Sequence, residues 1–413
     1  MRQVFDMMDF AVGSAAVLEG MPALPAMRAF VERIIAFLNT LSGKLLKIPN
    51  AKRFPDVIAF AFWCRKVNLL KLKEQYDDLD RRLGRGVAFH IAPSNVPVNF
   101  AYSTVVGMLA GNANIVRLPS KKFEQTEIIC DTVRGIQQPE IASRLCLVRY
   151  AHRQEITDSL SSICASRVIW GGDSTIARVR ESPLPPRANE IAFADRFSIC
   201  LVNADKYIAE YDPQKTAREF YNDTYLTDQN ACTSPRIIVW FGRERDKAKK
   251  IFWDALSERL SGYEPQPMQT INKLSALYRF AASADCKLLK ADDCKIMRVT
   301  VNQLDNNVLN NLESSGYFYE YNAESLDEIL PVCTRKCQTL SYIGFDSAEL
   351  QAFILSNAPS GIDRIVSAGK TMNFALVWDG VDLIRTLSRQ IASETLGLCP
   401  KPRRGTSSPD PFI

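Results

Sequence analysis

Residues 86–136, GVAFHIAPSNVPVNFAYSTVVGMLAGNANIVRLPSKKFEQTEIICDTVRGI, decide the fold. GVAFHIAPSNVP is a short apolar run that stops at Ser and Pro, the mark of a buried strand opening into a loop. NFAYSTVVGMLAGN reads as a helix with small residues on one face, closed by Gly111-Asn112. ANIVRLPS is a second strand. KFEQTEIICDTVRGI is a second helix, with its start signal near Ser120.

The alternation runs on in both directions from this block. RLCLVRYA, SRVIWGGD, NEIAFADRF and SICLVNAD read as strands, with HRQEITDSLSSICA and STIARVRES as helices between them. Strands alternating with helices of this length argue for a parallel, doubly wound α/β sheet of the nucleotide-binding kind. AREFYNDTYLTDQ then opens a new unit, and PRIIVWFG, RDKAKKIFWDALSERL, CKIMRVTVNQL, LNNLESSGYFYEY and QTLSYIGFD continue the alternation. Upstream, FVERIIAFLNTLSGKLLKI and DVIAFAFWCRKVNLLKLKEQYDDLDRRLG carry apolar residues three and four apart, so residues 1–80 read as helical. The Pro- and Ser-rich end PKPRRGTSSPDPFI reads as extended.

A chain of 413 residues suits two large lobes. Its 46% hydrophobic and 23% charged residues are those of a soluble globular protein. The net charge of +5 is scattered, with no basic stripe to grip nucleic acid. FAVGSAAVL near the N-terminus is apolar, but Asp6 and Asp9 stand where a secretory signal carries positive charge. No apolar run reaches the roughly 18–20 residues of a membrane span, and the expected location is cytoplasmic. Eleven cysteines with no CxxC pair, beside only two histidines, His90 and His152, argue for reduced thiols and against a metal site.

Among those cysteines, Cys232 stands apart. DQNACTSPRIIVW, residues 228–240, sets it between small and polar residues, after a helix and before an apolar strand. Loops at such junctions expose a side chain and backbone N–H groups together, the arrangement a thiol nucleophile needs. The alternative is a cysteine packed under a turn. The segment resembles the nucleophile loop of the aldehyde dehydrogenase superfamily, and more closely that of the LuxC-type fatty acid reductases of bacterial luminescence. FHIAPSNVPVN resembles the loop whose Asn gives an oxyanion amide, which maps to Asn95. GNANIVRLPSK resembles the strand that meets the adenosine ribose, and VIWGGDSTI the turn beneath the pyrophosphate, with Gly171, Gly172, Asp173 and Ser174. CQTLSYIGF and GIDRIVSAGKTMNFALVWDGVDLI resemble C-terminal blocks of the acyl-thioester reductases. The likeness runs from about residue 85 to 390.

The resemblance implies an aldehyde dehydrogenase-like α/β fold. Residues 1–80 would pack on a Rossmann-type cofactor lobe of 81–210, residues 211–385 would form the catalytic lobe, and 386–413 would return to the cofactor lobe. It implies reduction of an acyl thioester, held on Cys232 and stabilised by Asn95, to a fatty aldehyde. The donor would be acyl-CoA or a protein-bound acyl group. A homo-oligomer, and a complex with an acyl-protein synthetase and an acyl-transferase, are implied as well. Two blocks depart from the oxidising enzymes. Their water-activating Glu falls in ANEIAFADRFSICLV, at Glu190 or at Ile191, with no Gly-Gly following; Glu190 is the candidate general base, or else a solvated strand end. In VRLPSKK the ribose-binding Lys is replaced by Leu118 and the carboxylate by Lys121. A cation and a hydroxyl, Lys121 and Ser120, with Arg117 nearby, favour a 2′-phosphate and hence NADPH over NADH. The rival readings are an NADP-dependent aldehyde dehydrogenase forming the acid, and a non-catalytic acyl-binding subunit.

Overall fold

The computed structural model describes residues 2–94, 96–151, 153–289 and 294–392. Strands β1 (Asp9–Val12), β2 (Arg82–Gly84), β3 (Val87–Ile91), β4 (Ala113–Arg117), β5 (Leu145–Arg149), β6 (Ser166–Trp170) and β7 (Asn189–Phe193) come first along the chain. Apart from β2 they form one sheet in the order β1-β5-β4-β3-β6-β7. Every pair is parallel except the edge pair of β1 with β5. All five residues of β3 are buried, because both faces of the sheet are covered. Phe89 and Ile91 pack with Ile115, Ile156 and Leu160 on one face, and Val116 and Val168 with Leu38 and Phe100 on the other.

The first eighty residues hold the expected helices Glu32–Leu45, Pro55–Trp63 and Lys66–Lys73, but also β1. Four residues are too few to show a strand period, and their ladder comes from β5, more than a hundred residues away.

The second sheet contains β8 (Phe197–Asn203), β9 (Pro235–Phe241), β10 (Cys286–Leu289), β11 (Met297–Val301), β12 (Tyr317–Asn322), β13 (Cys337–Ile343) and β14 (Arg364–Ser367). Its order is β10-β11-β12-β9-β8-β13-β14, parallel except for β10 with β11. The sequence reading set the lobe boundary at residue 210. β8 lies between β9 and β13, so the two sheets part in the short linker Ala194-Asp195-Arg196. β7 and β8 are consecutive apolar strands with no helix between them, and a local pattern cannot say which sheet each one joins.

Near the C-terminus β15 (Val377–Trp378) and β16 (Val381–Asp382) form a hairpin. Its two turn residues, Asp379 and Gly380, have φ of 49° and 74°. A two-residue hairpin needs positive φ at both places, and Asp-Gly supplies it at low cost. Leu376, Trp378, Leu383, Ile384 and Leu387 then bury in the core of the first sheet. β17 (Ser388–Gln390) pairs with β2 in a separate two-stranded sheet. Residues 393–413 of the expected tail lie outside the described residues. Among the described residues no helix is long and apolar enough to cross a membrane.

Candidate active site

The Cys232 loop follows the helix Pro213–Thr224 and one tight turn. Asp228 and Gln229 both take left-handed backbone, φ 50° and 58°, a strain that persists only where the surroundings hold it. Gln229 shows what holds it. Its buried amide donates to the carbonyls of Pro235 and Tyr317, 2.8 and 3.2 Å, and accepts the N–H groups of Gly316 and Tyr317, 2.9 and 3.2 Å. The Tyr263 hydroxyl donates to Asp228 Oδ1 at 2.7 Å. From β8, Ser198 Oγ donates to the Cys232 carbonyl at 2.7 Å while accepting the Thr339 N–H of β13 at 3.2 Å. The loop is therefore fixed from β8, β12 and β13 before any ligand arrives.

Gln338 of β13 favours the ionised form of the Cys232 thiol. Gln338 Nε2 also donates to Asp379 Oδ1 at the hairpin tip. Arg196, from the linker between the sheets, pairs with Asp363, stands 3.7 Å from Asp379 and donates to the Cys337 carbonyl at 3.0 Å. Cys232 keeps some accessible surface as a residue. Its thiol is nevertheless desolvated, and burial pushes it up to about 12. The Asp379 charge pushes the same way, while Arg196 and Gln338 oppose. Burial also raises Asp379 above the ordinary carboxylate range. A thiol placed this way rests protonated, so a nucleophilic role requires something to remove its proton.

Aromatic rings cluster around the hairpin, against the core of the first sheet. Trp378 stacks on Phe374 at 5.0 Å, Phe374 on Tyr102 at 4.7 Å, and Trp63 meets Phe374 edge-on at 5.6 Å. Arg364 lies over Trp378 at 4.8 Å and donates to the carbonyls of Thr371 and Asn373, which ties this cluster to β14.

An open cleft of about 910 Å³ lies between the sheets, lined by Asp173, Ala192 and Asp195 on one side and by Arg335, Lys336 and Asp379 on the other. Gly171 and Gly172 end β6 and begin the helix Asp173–Arg180. A Cβ on Gly172 would fall 2.8 Å from Asp195 Oδ2, and the Asp173 N–H donates to that same oxygen at 3.3 Å. The helix start thus already offers an anion cradle, taken here by a carboxylate. Ser174 is exposed there, and Ser120 and Lys121 are exposed past the end of β4. Lys121 reaches no further than the Phe123 ring, 5.1 Å away. These residues fit a dinucleotide. Arg117 fits less well, because its guanidinium lies over the Tyr150 ring at 4.5 Å.

Glu190 is not brought to this site. Its Oε2 takes Arg167 Nε and Nη2 at 2.8 and 2.5 Å, and its Oε1 takes Arg180 Nε at 2.7 Å. It sits one residue into β7, roughly 10 Å of strand back from Phe193 at the cleft end. On the same face of β7 the residue that reaches the cleft is Ala192. Two guanidiniums hold its carboxylate at the far end of the strand. Ile191, the other candidate, faces the core. Asn95 and His152 lie outside the described residues. His90 is buried between Ser103 Oγ, 2.8 Å, and Asn114 Oδ1, 3.1 Å. Trp170 Nε1 donates to that same Ser103 hydroxyl at 3.0 Å, so Ser103 donates in turn to His90. Burial holds His90 neutral, down near 4, and leaves it a packing residue.

Sequence reading passed over Gln229, Ser198, Arg196 and Gln338. Each is an ordinary polar residue whose role arises only when strands far apart in the chain come together. Asp379 carried one local signal, the Asp-Gly turn, which announces a hairpin but not where it docks.

With two covered sheets, a cleft between them and a pinned cysteine loop at its side, the architecture is that of the aldehyde dehydrogenases. A lactaldehyde dehydrogenase matches with a TM-score of 0.65 at 12% identity, over 94% of this chain and 90% of that one. An indole-3-acetaldehyde dehydrogenase solved with NAD+ matches at 0.63 and 12% identity, over 92% and 86%. Within that fold, residues 66–390 match the model of the acyl-CoA reductase (LuxC) family, and the chain belongs to that family. The long-chain acyl-protein thioester reductase of Vibrio harveyi is 21% identical over 325 residues, which span 75% of this chain and 64% of that protein.

Proposed function

We propose that this protein reduces a fatty acyl thioester to a fatty aldehyde with NADPH, through an acyl group carried on Cys232. One observation supports this above others. The cysteine loop is pinned from three strands beside a cleft where β7 offers Ala192 and no water-activating carboxylate. The place where the oxidising enzymes carry their water-activating Glu holds no such carboxylate on β7, which favours hydride over water as the acceptor of the acyl group and speaks against the acid-forming rival.

Attack of the Cys232 sulfur on the thioester carbonyl makes a tetrahedral oxyanion. The Cys232 N–H and the Asn95 amide are its proposed donors. Collapse expels the donor thiol and leaves the acyl group on Cys232. The nicotinamide supplies hydride to the acyl carbon when bound. Gly171, Gly172, Asp173 and Ser174 would hold its pyrophosphate through helix-start amides, displacing the Asp195 carboxylate. Ser120 and Lys121 would take the 2′-phosphate. The same oxyanion donors serve both halves of the reaction, so the preorganised loop acts twice.

The relative named as an acyl-protein thioester reductase supports a protein-bound donor beside coenzyme A, and with it the complex with an acyl-protein synthetase and an acyl-transferase. A homo-oligomer in the cytoplasm completes the proposal. The test is intact-protein mass spectrometry after mixing with medium- and long-chain acyl-CoA, without cofactor, with Cys232→Ser alongside. The expected result is one added acyl group, absent from the variant and released as aldehyde when NADPH is added. An adduct that survives in Cys232→Ser, or one that discharges as free acid, would overturn it.

A further inference from the structure

Residues Thr334 to Cys337 form a turn just ahead of β13, closed by the Cys337 N–H donating to the Thr334 carbonyl at 2.8 Å. Arg335 and Lys336 are its two central residues, and both are exposed. The backbone fixes this turn to its surroundings. The Lys336 carbonyl accepts the Phe197 N–H of β8 at 2.9 Å, and the Cys337 carbonyl accepts the Ile362 N–H at 2.8 Å and Arg196 Nη2 at 3.0 Å. Two cations are therefore held out on a rigid support, where they line the cleft opposite the start of the helix Asp173–Arg180. Lys336 Nζ stands 3.7 Å from Asp173 Oδ2, so its reach spans the cleft to the first residue of that helix. Matching charges along the cleft leaves one cation over. Arg196 faces Asp363 and Asp379, Lys336 faces Asp173, and Asp195 accepts the N–H at the helix start. Among the described residues the Arg335 guanidinium has no hydrogen bond and no ion pair.

We propose that Arg335 and Lys336 bind the diphosphate of the nicotinamide cofactor from the side of the second sheet, facing the helix start on the first. The assignment rests on the cofactor reading above, which gives that helix start to the pyrophosphate. Lys336 exchanges the Asp173 carboxylate for a phosphate oxygen. That exchange is easy, because both side chains of the present pair are more than half exposed and such a pair is worth little. Arg335 gains the counter-charge it lacks, and its planar fork suits two oxygens of one phosphate. Asp195 is the competing anion and leaves the helix start. Coenzyme A carries a diphosphate as well. The dinucleotide is favoured because Lys336 already reaches the helix start assigned to it. With the cations on one sheet and the amides on the other, cofactor binding ties the two sheets together.

The test is direct binding to the full chain without acyl donor, read by NADPH fluorescence. Lys336→Met and Arg335→Met alter exposed side chains and leave the backbone of the turn its hydrogen bonds. Each is expected to raise the Kd for NADPH by roughly 10–100-fold. Neither should change the affinity for adenosine 2′-phosphate, which lacks the diphosphate, nor the acyl adduct formed on Cys232 without cofactor. Asp195→Asn should move the other way and tighten NADPH binding severalfold, because a neutral amide competes less well than a carboxylate for the helix start. Unchanged NADPH affinity in both cation variants overturns the assignment. An equal loss of adenosine 2′-phosphate binding also overturns it, since that marks a general effect of charge. Weakened coenzyme A binding with NADPH binding unchanged overturns it too, and gives the turn to the diphosphate of the donor. A wild-type protein that binds no NADPH overturns the cofactor reading itself, a failure distinct from the other three.

Discussion

Glu190→Ala separates the sequence reading of this residue from its place in the structure. Arg167 is nearly fully buried, with 3% of its side chain exposed, and Glu190 neutralises it through two short hydrogen bonds. Removing the carboxylate leaves Nε and Nη2 of a buried guanidinium unpaired, while Nη1 keeps Ser161 Oγ and the Ser182 carbonyl. Breaking one side of a buried pair costs roughly 3–5 kcal/mol, and the surviving bonds place this case at the low end, about 3 kcal/mol. The second partner, Arg180, is 58% exposed and adds little once solvent screening is counted. Urea unfolding followed by circular dichroism should therefore move to clearly lower urea, with Glu190→Gln in between. Turnover of acyl-CoA with NADPH, measured well below the unfolding range, should stay within about threefold of wild type, because no general-base contribution of 10² or more is being removed. A folded Glu190→Gln enzyme that has lost a hundredfold or more in turnover would refute the argument and return this carboxylate to the chemistry.

Three further outcomes are expected. Asn95→Ala should lower turnover by roughly 10²–10³-fold if its amide supports the oxyanion, measured by single-turnover aldehyde release. Lys121→Glu should raise the KM for NADPH and narrow its preference over NADH, with the acyl adduct on Cys232 still formed; an unchanged cofactor preference would sink the 2′-phosphate assignment. Asp223 is buried and accepts the N–H groups of Gly369 and Thr371, 2.6 and 3.1 Å, yet burial lifts it from 3.8 to about 6. The folded state thus holds a proton that the unfolded chain releases between pH 4 and 6. Its stabilising effect is full below that window and is lost as pH rises through it, by roughly 3 kcal/mol. The difference in urea midpoint between wild type and Asp223→Asn should shift across that window, and a pH-independent difference would contradict the sign.

Local pattern carried the order of strands and helices from Val87 to Trp170, because each buried parallel strand is an apolar run and each crossover helix shows its own face. It failed where identity depends on a distant partner. β1 is four residues long and exists as a strand through its ladder with β5. β8 reads like β7 until β9 and β13 claim it for the other sheet. The candidate site divides the same way. Cys232 drew notice because a thiol among small polar residues before a strand is locally unusual, and the structure sets it in a pinned loop. For Glu190 two readings stood open, because a carboxylate in the expected block says nothing about which end of the strand it occupies; its partners Arg167 and Arg180 are found only in the fold.

The spread of these contacts along the chain matters while the protein is being made. Cys232 leaves the ribosome about 150 residues before the Asp379 hairpin, roughly 7–30 s at ordinary rates of synthesis. Its loop can dock on Ser198 early, but Gln338 and the hairpin tip come only with the last strands. Nascent chains, and any truncated before residue 379, therefore carry the Cys232 loop without the C-terminal hairpin. Synthesis from the N-terminus thus completes the surroundings of the Cys232 loop only with the last strands.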